Sequence, residues 1–366
     1  MNDDFLDKKL DERTNANALR SLIVQKNKID FCSNDYLGIV KNKIIEKSIS
    51  TGLLHGSTGS RLLSGNYQSI EKAEKQLAEF HNADAGLIFN SGYDANTGLL
   101  SSVPQKNDTI IYDHLCHASL RDGIRLSFAI AFSFGHNDLH DLEKKLSSAS
   151  SDHQIFVVTE SVFSMDGDLA PLAEIVDLCE KYRAALIVDE AHATGVVGEK
   201  GEGLVQKLNL HKKCFARIHT FGKACGAHGA IILGSQKLKS YLINFSRQFI
   251  YSTALPPTAV EAISISYYTF PEMQKERKHI QELIKIFKDT DLKYQKLSGN
   301  TPIQVVIIPG NAEVKIAAKI LQENNFDIRP ILYPSVPKGQ ERLRIVMHSF
   351  NTAEEVNRMA TLLKEM

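Results

Sequence analysis

From about residue 68 onward, amphipathic helical stretches alternate with short apolar runs. That alternation constrains the fold more than any other feature, because it is the pattern of a mostly parallel α/β sheet in which helices connect successive strands. Strands are expected at Ala85–Asn90, Thr109–Tyr112, Ile155–Glu160, Ala185–Asp189, Arg217–Phe221 and Gly229–Leu233. Ile70, Ala73, Leu77 and Phe80 recur at helical spacing behind Ser69, a residue type suited to an N-cap, so the spacing predicts a helix over 70–81. Pro256-Pro257 interrupts the pattern. Beyond it come a long charged helix over 271–290, a strand at Ile303–Ile308 and helices over 311–324 and 352–365. The expected division is an N-terminal segment over 1–50, a large domain over 51–271 and a small α+β domain over 272–366.

The chain has 366 residues, 43% hydrophobic and 23% charged, enough for one large domain and a smaller one. Lys plus Arg and Asp plus Glu both number 43, and no basic block marks a nucleic-acid partner, so small-molecule partners are expected. Met1-Asn2-Asp3-Asp4-Phe5 is acidic and polar where a signal peptide would be basic and then apolar. No apolar run reaches the roughly 18 residues of a membrane span, and the expected location is the cytoplasm, away from the membrane. The five cysteines contain no C-x-x-C pair, which indicates neither a disulfide framework nor a zinc site; Cys225 reads as a small residue packed beneath its loop.

In open parallel sheets, ligands gather beyond the carboxyl ends of the strands. The chemically useful residues fall there: Asn90-Ser91-Gly92-Tyr93, His114–His117, Ser161–Ser164, Asp189–His192 and Thr220–Lys223 each follow an expected strand. Lys223 is set among small residues in Thr220-Phe221-Gly222-Lys223-Ala224-Cys225-Gly226. A lysine that forms an imine with an aldehyde, releases it to a substrate amine and then moves protons needs close access and room to swing, which glycine neighbours provide. Asp189, at the end of a buried strand, supplies the complement. A carboxylate held against a pyridine nitrogen keeps that nitrogen protonated, so that the ring can accept electrons. Lys223 and Asp189 together point to pyridoxal 5'-phosphate (PLP).

That cofactor needs a phosphate site, and Ser91-Gly92-Tyr93 lies where a strand turns into a helix, with backbone N–H groups and the helix dipole available. Thr220 can add a hydroxyl. The segment Asp113–Ser119 offers an acid, two imidazoles and a thiol, but its spacing matches no closed zinc pattern and no metal is expected. His117 is better suited to stacking over the pyridine ring, where it could also hydrogen-bond the substrate. His192, three residues past Asp189, can reach the phenolic oxygen of PLP from the same sheet edge. No G-x-x-x-x-G-K-[ST] loop precedes Asp189-Glu190-Ala191-His192, which sets aside a helicase-like reading. His136 and His140, four apart, read as solvated. Arg342-Leu343-Arg344-Ile345-Val346 alternates like a strand with both arginines on one face; one of them can clamp a carboxylate, or both are solvated on an edge strand.

Several blocks together resemble the α-oxoamine synthases, PLP enzymes that join an amino acid to an acyl-CoA with loss of carbon dioxide. They are Phe31–Gly38, Gly56–Gly65 (Gly-Ser-Thr-Gly-Ser-Arg-Leu-Leu-Ser-Gly), His117–Leu120, Thr159–Asp168, Asp189–Gly195, Thr220–Lys223, Tyr251–Thr253 and Val336–Gly339. The resemblance runs from about Leu19 to the C-terminus, and the Gly56–Gly65 block looks most like the branch that makes 8-amino-7-oxononanoate in biotin biosynthesis. It implies a fold-type I PLP-dependent transferase, a large mostly parallel sheet domain with a smaller α+β C-terminal domain, acting as a homodimer.

The resemblance also implies roles. Lys223 attaches the cofactor and serves as general base, Asp189 pairs with the pyridine nitrogen, His117 stacks on the ring, and Ser164 and His192 contact the ring oxygen. Gly92, Tyr93 and Thr220 hold the phosphate. Arg344 is the clamp for the amino-acid carboxylate, with Asn34 close by, and Arg20 contacts the acyl substrate. The implied substrates are L-alanine and pimeloyl-CoA or a pimeloyl carrier protein. Two departures lie on the acyl side: the stretch between Arg20 and Asn34 is shorter than in typical relatives, and Ser335 stands where threonine is usual. Sister activities using glycine or serine are the rival reading, namely 2-amino-3-ketobutyrate CoA ligase, 5-aminolevulinate synthase and serine palmitoyltransferase. A non-catalytic subunit of the same fold would be marked by loss of the lysine, which is present here.

Overall fold

The computed structural model describes residues 3–24, 27–150, 152–297 and 299–366. Its strands are β1 (Ile29–Asp30), β2 (Ala85–Phe89), β3 (Thr109–Asp113), β4 (Ile130–Phe134), β5 (Ile155–Glu160), β6 (Ala185–Asp189), β7 (Ala216–Thr220), β8 (Ala230–Gly234), β9 (Ile303–Ile307), β10 (Phe326–Asp327), β11 (Arg329–Ile331) and β12 (Arg342–Val346). The chain divides into two compact units. One is built from Leu37–Ser164 and Leu169–Lys275, the other from Met1–Tyr36, Met165–Asp168 and Glu276–Met366.

The larger unit is organised by a seven-stranded sheet in the order β2-β8-β7-β6-β5-β3-β4. Strands β4, β3, β5, β6 and β7 are mutually parallel, whereas β8 runs antiparallel to both β7 and β2. Reversal on both sides of β8 returns β2 to the direction of β7. The carboxyl ends of β2, β3, β5, β6 and β7 therefore share one edge, where ligands bind in sheets of this kind.

Both faces of this sheet are covered, which explains why its inner strands are nearly continuous apolar runs rather than alternating ones. Phe156, Val158, Ile187 and Ile218 pack in one core with Leu99, Leu100 and Leu120 from the helices Gly92–Ser102 and Ala118–Leu126. Val157, Leu186 and Val188 pack in a second core with Leu142, Leu146, Ile175 and Val176 from the helices Leu139–Ser148 and Leu172–Tyr182. β4 was not among the expected strands. Its first four residues are exposed, so burial leaves no strong imprint on its composition.

The helix expected over 70–81 spans Gln68–Phe80. Ser69 is not its N-cap: Tyr67 occupies that place, without a side-chain cap bond. The helix buries Ile70, Ala73 and Leu77, and with them Glu74. That carboxylate accepts from Arg61 Nη1 at 2.7 Å, Lys239 Nζ at 2.8 Å and the Ile88 N–H of edge strand β2 at 3.0 Å. It ties helix, loop and sheet edge together.

In the smaller unit, β11, β12 and β9 form an antiparallel sheet. β1 pairs in parallel with β10, Ile29 opposite Phe326, so the first residues of the chain join the C-terminal unit. Gln274–Asp289, Asn311–Glu323 and Ala353–Glu365 are helical, the last opened by a capping box of Thr352 and Glu355. The excursion at Met165–Asp168 is held in this unit by Thr301 Oγ1, which donates to the Gly167 carbonyl at 2.7 Å.

Removing one member of a buried ion cluster strands the remaining charges. Glu74→Ala is expected to lower unfolding stability by about 3 kcal/mol, read as a shift in the denaturant midpoint of the larger unit. Lys75→Ala one residue along is expected to leave it unchanged, because Lys75 is exposed and only loosely paired with Glu79 at 3.9 Å.

Candidate active site

Asp189 ends β6 and is 4% exposed. Its carboxylate is fixed at both oxygens: the Ala191 N–H donates to Oδ1 at 2.9 Å and Asn96 Nδ2 donates to Oδ2 at 2.7 Å. Donors of this kind favour a charged carboxylate in a buried place. Asn96 lies in the helix Gly92–Ser102, which begins directly after β2. The helix therefore presents its N-terminal N–H groups at the sheet edge and braces Asp189 one turn further along.

The same amide of Asn96 donates to Ser119 Oγ at 2.9 Å, and Ser119 Oγ lies 2.8 Å from His117 Nδ1. The Ser119 N–H also donates to Nδ1 at 3.2 Å. Nδ1 is thus an acceptor, which places the proton of a neutral imidazole on Nε2. Loss of solvent around the ring holds the His117 pKa below its ordinary value; Asp189 opposes that shift and Lys223 adds to it. His117 is also the N-cap of the helix Ala118–Leu126, so its position is set by a helix start.

Glu160 ends β5 in register with Asp189. It is 2% exposed and accepts the His117 N–H at 2.5 Å. Burial, reinforced by the neighbouring Asp189 charge, pushes its pKa up to about 8, with Lys223 and the His117 N–H pulling the other way. Asn96, Ser119 and Glu160 were not identified from sequence. Glu160 had a legible signal, since it closes an apolar strand beside the one that ends in Asp189; Asn96 and Ser119 are ordinary helix residues whose partners are distant in sequence.

The phosphate requirement can be tested on the geometry. Ser91 caps the helix Gly92–Ser102 by accepting from the Asp94 N–H at 3.0 Å, leaving Gly92 and Tyr93 as its first two residues. A Cβ on Gly92 would lie 2.5 Å from Thr220 Cγ2, so only glycine lets the helix start come this close to the end of β7. Thr220 is 9% exposed and its Oγ1 has no partner among the described residues. A buried hydroxyl without a partner beside a helix N-terminus fits an anionic oxygen there. The Tyr93 hydroxyl instead donates to Asp122.

Lys223 follows Thr220 by three residues and is half-buried. A Cβ on Gly222 would meet nothing nearer than 3.9 Å, so the chain beside the lysine is open, and Gly226 turns through the left-handed region at φ +59°. His192 is buried and Ser164 half-buried, each just past the end of its strand. His136 is not a solvated helix residue: it precedes the helix Leu139–Ser148, and its Nδ1 meets the buried Asp113 carboxylate at 3.1 Å. His140 is exposed.

In the smaller unit, the two arginines of β12 differ. Arg342 is 4% exposed and is engaged by Asp166 Oδ1 at 2.6 Å, the Met165 carbonyl and the Gln340 carbonyl. Arg344 Nη2 donates to Asn34 Oδ1 at 3.0 Å, and the Tyr36 hydroxyl donates to the same oxygen at 3.1 Å. Burial raises the Tyr36 pKa to about 12, against the opposing influence of Arg344, so this hydroxyl remains a donor. Arg20 Nη2 donates to Ser335 Oγ at 3.0 Å, bringing the two acyl-side candidates together.

A family profile described as aminotransferase class I and II matches residues 26–363. An 8-amino-7-oxononanoate synthase from Lysinibacillus sphaericus is 39% identical over 349 residues, covering 92% of this chain and 88% of its own. Among solved structures, the serine palmitoyltransferase of Sphingomonas wittichii superposes with a TM-score of 0.88 at 27% identity, over 99% of this chain and 96% of its own. The 8-amino-7-oxononanoate synthase of Francisella tularensis gives 0.76 at 28% identity, over 93% and 98%. The chain belongs to the α-oxoamine synthases. It is a fold-type I enzyme whose cofactor is PLP, and its reaction is the condensation of an amino acid with an acyl-CoA. No helix among the described residues is long and apolar enough to cross a membrane.

Two outcomes follow from this geometry. Asn96→Leu keeps the side-chain volume but removes a donor from Asp189, and is expected to weaken PLP binding on the order of tenfold in an absorbance titration. A carboxyl whose pKa is raised in the folded state stabilises the fold below its ordinary value of 4.5 and loses that contribution as pH climbs towards about 8. The depressed His117 pKa acts in the opposite sense only around and below its ordinary 6.5. Thermal melts of the cofactor-free protein are therefore expected to show a fall in stability between about pH 6.5 and 8 that Glu160→Gln flattens.

Proposed function

We propose that this chain condenses L-alanine with pimeloyl-CoA, or with a pimeloyl carrier protein, to give 8-amino-7-oxononanoate, free carrier and carbon dioxide, a step of biotin biosynthesis. The observation that carries the catalytic reading is the doubly braced Asp189 at the same sheet edge as the unpartnered Thr220 hydroxyl and Lys223. The substrate pair rests on the Lysinibacillus sphaericus relative and on the Gly56–Gly65 block.

When bound, PLP supplies an electron sink for the carbon that carries the substrate's amine. In this proposal Lys223 would hold the cofactor and would serve as the general base for the α-proton of the amino acid. Asp189, held at both oxygens by Ala191 and Asn96, would pair with the pyridine nitrogen. His117, whose Nδ1 is taken by Ser119, would stack on the ring of the cofactor. Ser164 and His192 would contact the ring oxygen, and the N–H groups of Gly92 and Tyr93 with the Thr220 hydroxyl would hold the phosphate. Arg344, aimed by Asn34, clamps the amino-acid carboxylate; Arg342 is already committed to Asp166. Arg20 and Ser335 serve the acyl substrate as a hydrogen-bonded pair. The working unit is a homodimer, small molecules are its substrates, nucleic acid is not a partner, and the enzyme acts in the cytoplasm.

A second reading is a sister reaction with serine or glycine, favoured by the high superposition onto a serine palmitoyltransferase. Carbon dioxide release from the PLP-loaded protein decides between them. L-alanine, glycine and L-serine are each paired with pimeloyl-CoA, acetyl-CoA, succinyl-CoA and palmitoyl-CoA, and turnover is expected only for alanine with pimeloyl-CoA; turnover with serine and palmitoyl-CoA would move the chain to the sister branch. Lys223→Ala is expected to abolish condensation. Asp189→Asn is expected to slow α-proton exchange, followed by NMR in heavy water, by about a hundredfold or more while leaving the melt unchanged.

A further inference from the structure

β4 is one edge of the seven-stranded sheet, bonded to β3 alone among the described strands. None of the residues assigned to the active site lies on it. Residues 126–135 read Leu-Ser-Phe-Ala-Ile-Ala-Phe-Ser-Phe-Gly, with no charge and no proline. Leu126, Phe128, Ile130 and Phe132 are 59%, 83%, 52% and 48% exposed. By the two-residue period of a strand, Ile130 and Phe132 share one face of β4 and the small residues Ala131 and Ser133 the other, while Phe128 lies in the bend that leads into the strand. Edge strands are ordinarily protected by lysine, proline, a bulge or a covering element, because their unpaired N–H and C=O groups can recruit another strand. Residues 126–135 carry neither lysine nor proline.

We propose that β4 pairs antiparallel with β4 of a second copy of this chain, on a two-fold axis at Ala131. The flanking charges argue for this occupant and this direction. Exposed Arg121 and Arg125 lie on the helix Ala118–Leu126 that feeds the strand, Arg125 paired with Asp122 of the same helix at 3.0 Å so that Arg121 carries the excess positive charge, and Asp138 and Asp141 open the helix Leu139–Ser148 that leaves it. An antiparallel two-fold sets the basic flank of each copy against the acidic flank of the other, twice; a parallel pairing would set like against like. With Ala131 on the axis, Ile130 faces the Phe132 of the second copy, an apolar cross-strand pair that symmetry repeats. An unrelated extended peptide would have to carry both flanks in the right order, which a second copy does by construction. Four partly exposed side chains fall short of the roughly 800 Å² per partner of a standard interface, so the association is reversible and concentration-dependent.

The test is sedimentation velocity of the full-length, PLP-loaded protein over a hundredfold range of concentration. The smallest species present on dilution, whatever its subunit count, is expected to double in mass on concentration. Ile130→Lys and Phe132→Lys are expected to abolish the doubling without changing the melting temperature, since both side chains are already exposed. Ala131→Cys is expected to form a covalent pair under mild oxidation, whereas Ser127→Cys, four residues off the axis, is not. A single mass at every concentration would overturn the proposal, as would doubling that persists in both lysine variants, or irreversible heterogeneous aggregation in place of a discrete doubled species.

Discussion

The chemistry of this molecule depends on the register between β5 and β6, because that register sets Glu160 beside Asp189 at a buried sheet edge. Two carboxylates so placed cannot both be charged cheaply. Asp189 receives a donor at each oxygen, whereas Glu160 accepts one backbone N–H, from His117. Burial raises the Glu160 pKa, and its single donor only partly offsets that. The same contacts link two helix starts: Gly92–Ser102 braces Asp189 through Asn96, Ala118–Leu126 is capped by His117, and Ser119 on the latter joins the two.

Much of this could be read in the chain. Strands β5 and β6 were expected with their observed limits, because both faces of the sheet are covered and the apolar run is long enough to define its own ends. β4 escaped notice because it lies at an edge with its side chains in solvent, where composition carries little positional information. The start of the helix Gln68–Phe80 was misread for a related reason. Ser69 looks like a cap, but Ile70, Ala73 and Leu77 continue to be buried whether the first turn begins before or after it, so burial does not fix the end.

Lys223, Asp189, Gly92 and Thr220 could be singled out as candidates because each lies at or just past the end of an apolar strand, and strand ends are marked in sequence. Asn96, Ser119 and Glu160 support those residues through contacts made by folding, and the types Asn, Ser and Glu have too many ordinary uses to announce such a role. The β12 arginines show the same limit. Alternation placed both on one face of a strand, but only the packing separates Arg342, consumed by Asp166, from Arg344, held by Asn34 and standing two residues further along.

The smaller unit is assembled from three stretches of chain, and its β1 finds its partner strand β10 near the opposite end of the sequence. A ribosome releases β1 long before β10 exists. Until then, Ile29 and Phe31 have no β10 and no Phe326 to pair with, and the four residues Met165–Asp168 leave the larger unit without Thr301 to receive them. The larger unit can begin to consolidate during synthesis, because most of its contacts close within a contiguous stretch. The smaller one must wait for the last of the chain, and the late closure of such distant contacts makes it the slow partner in folding.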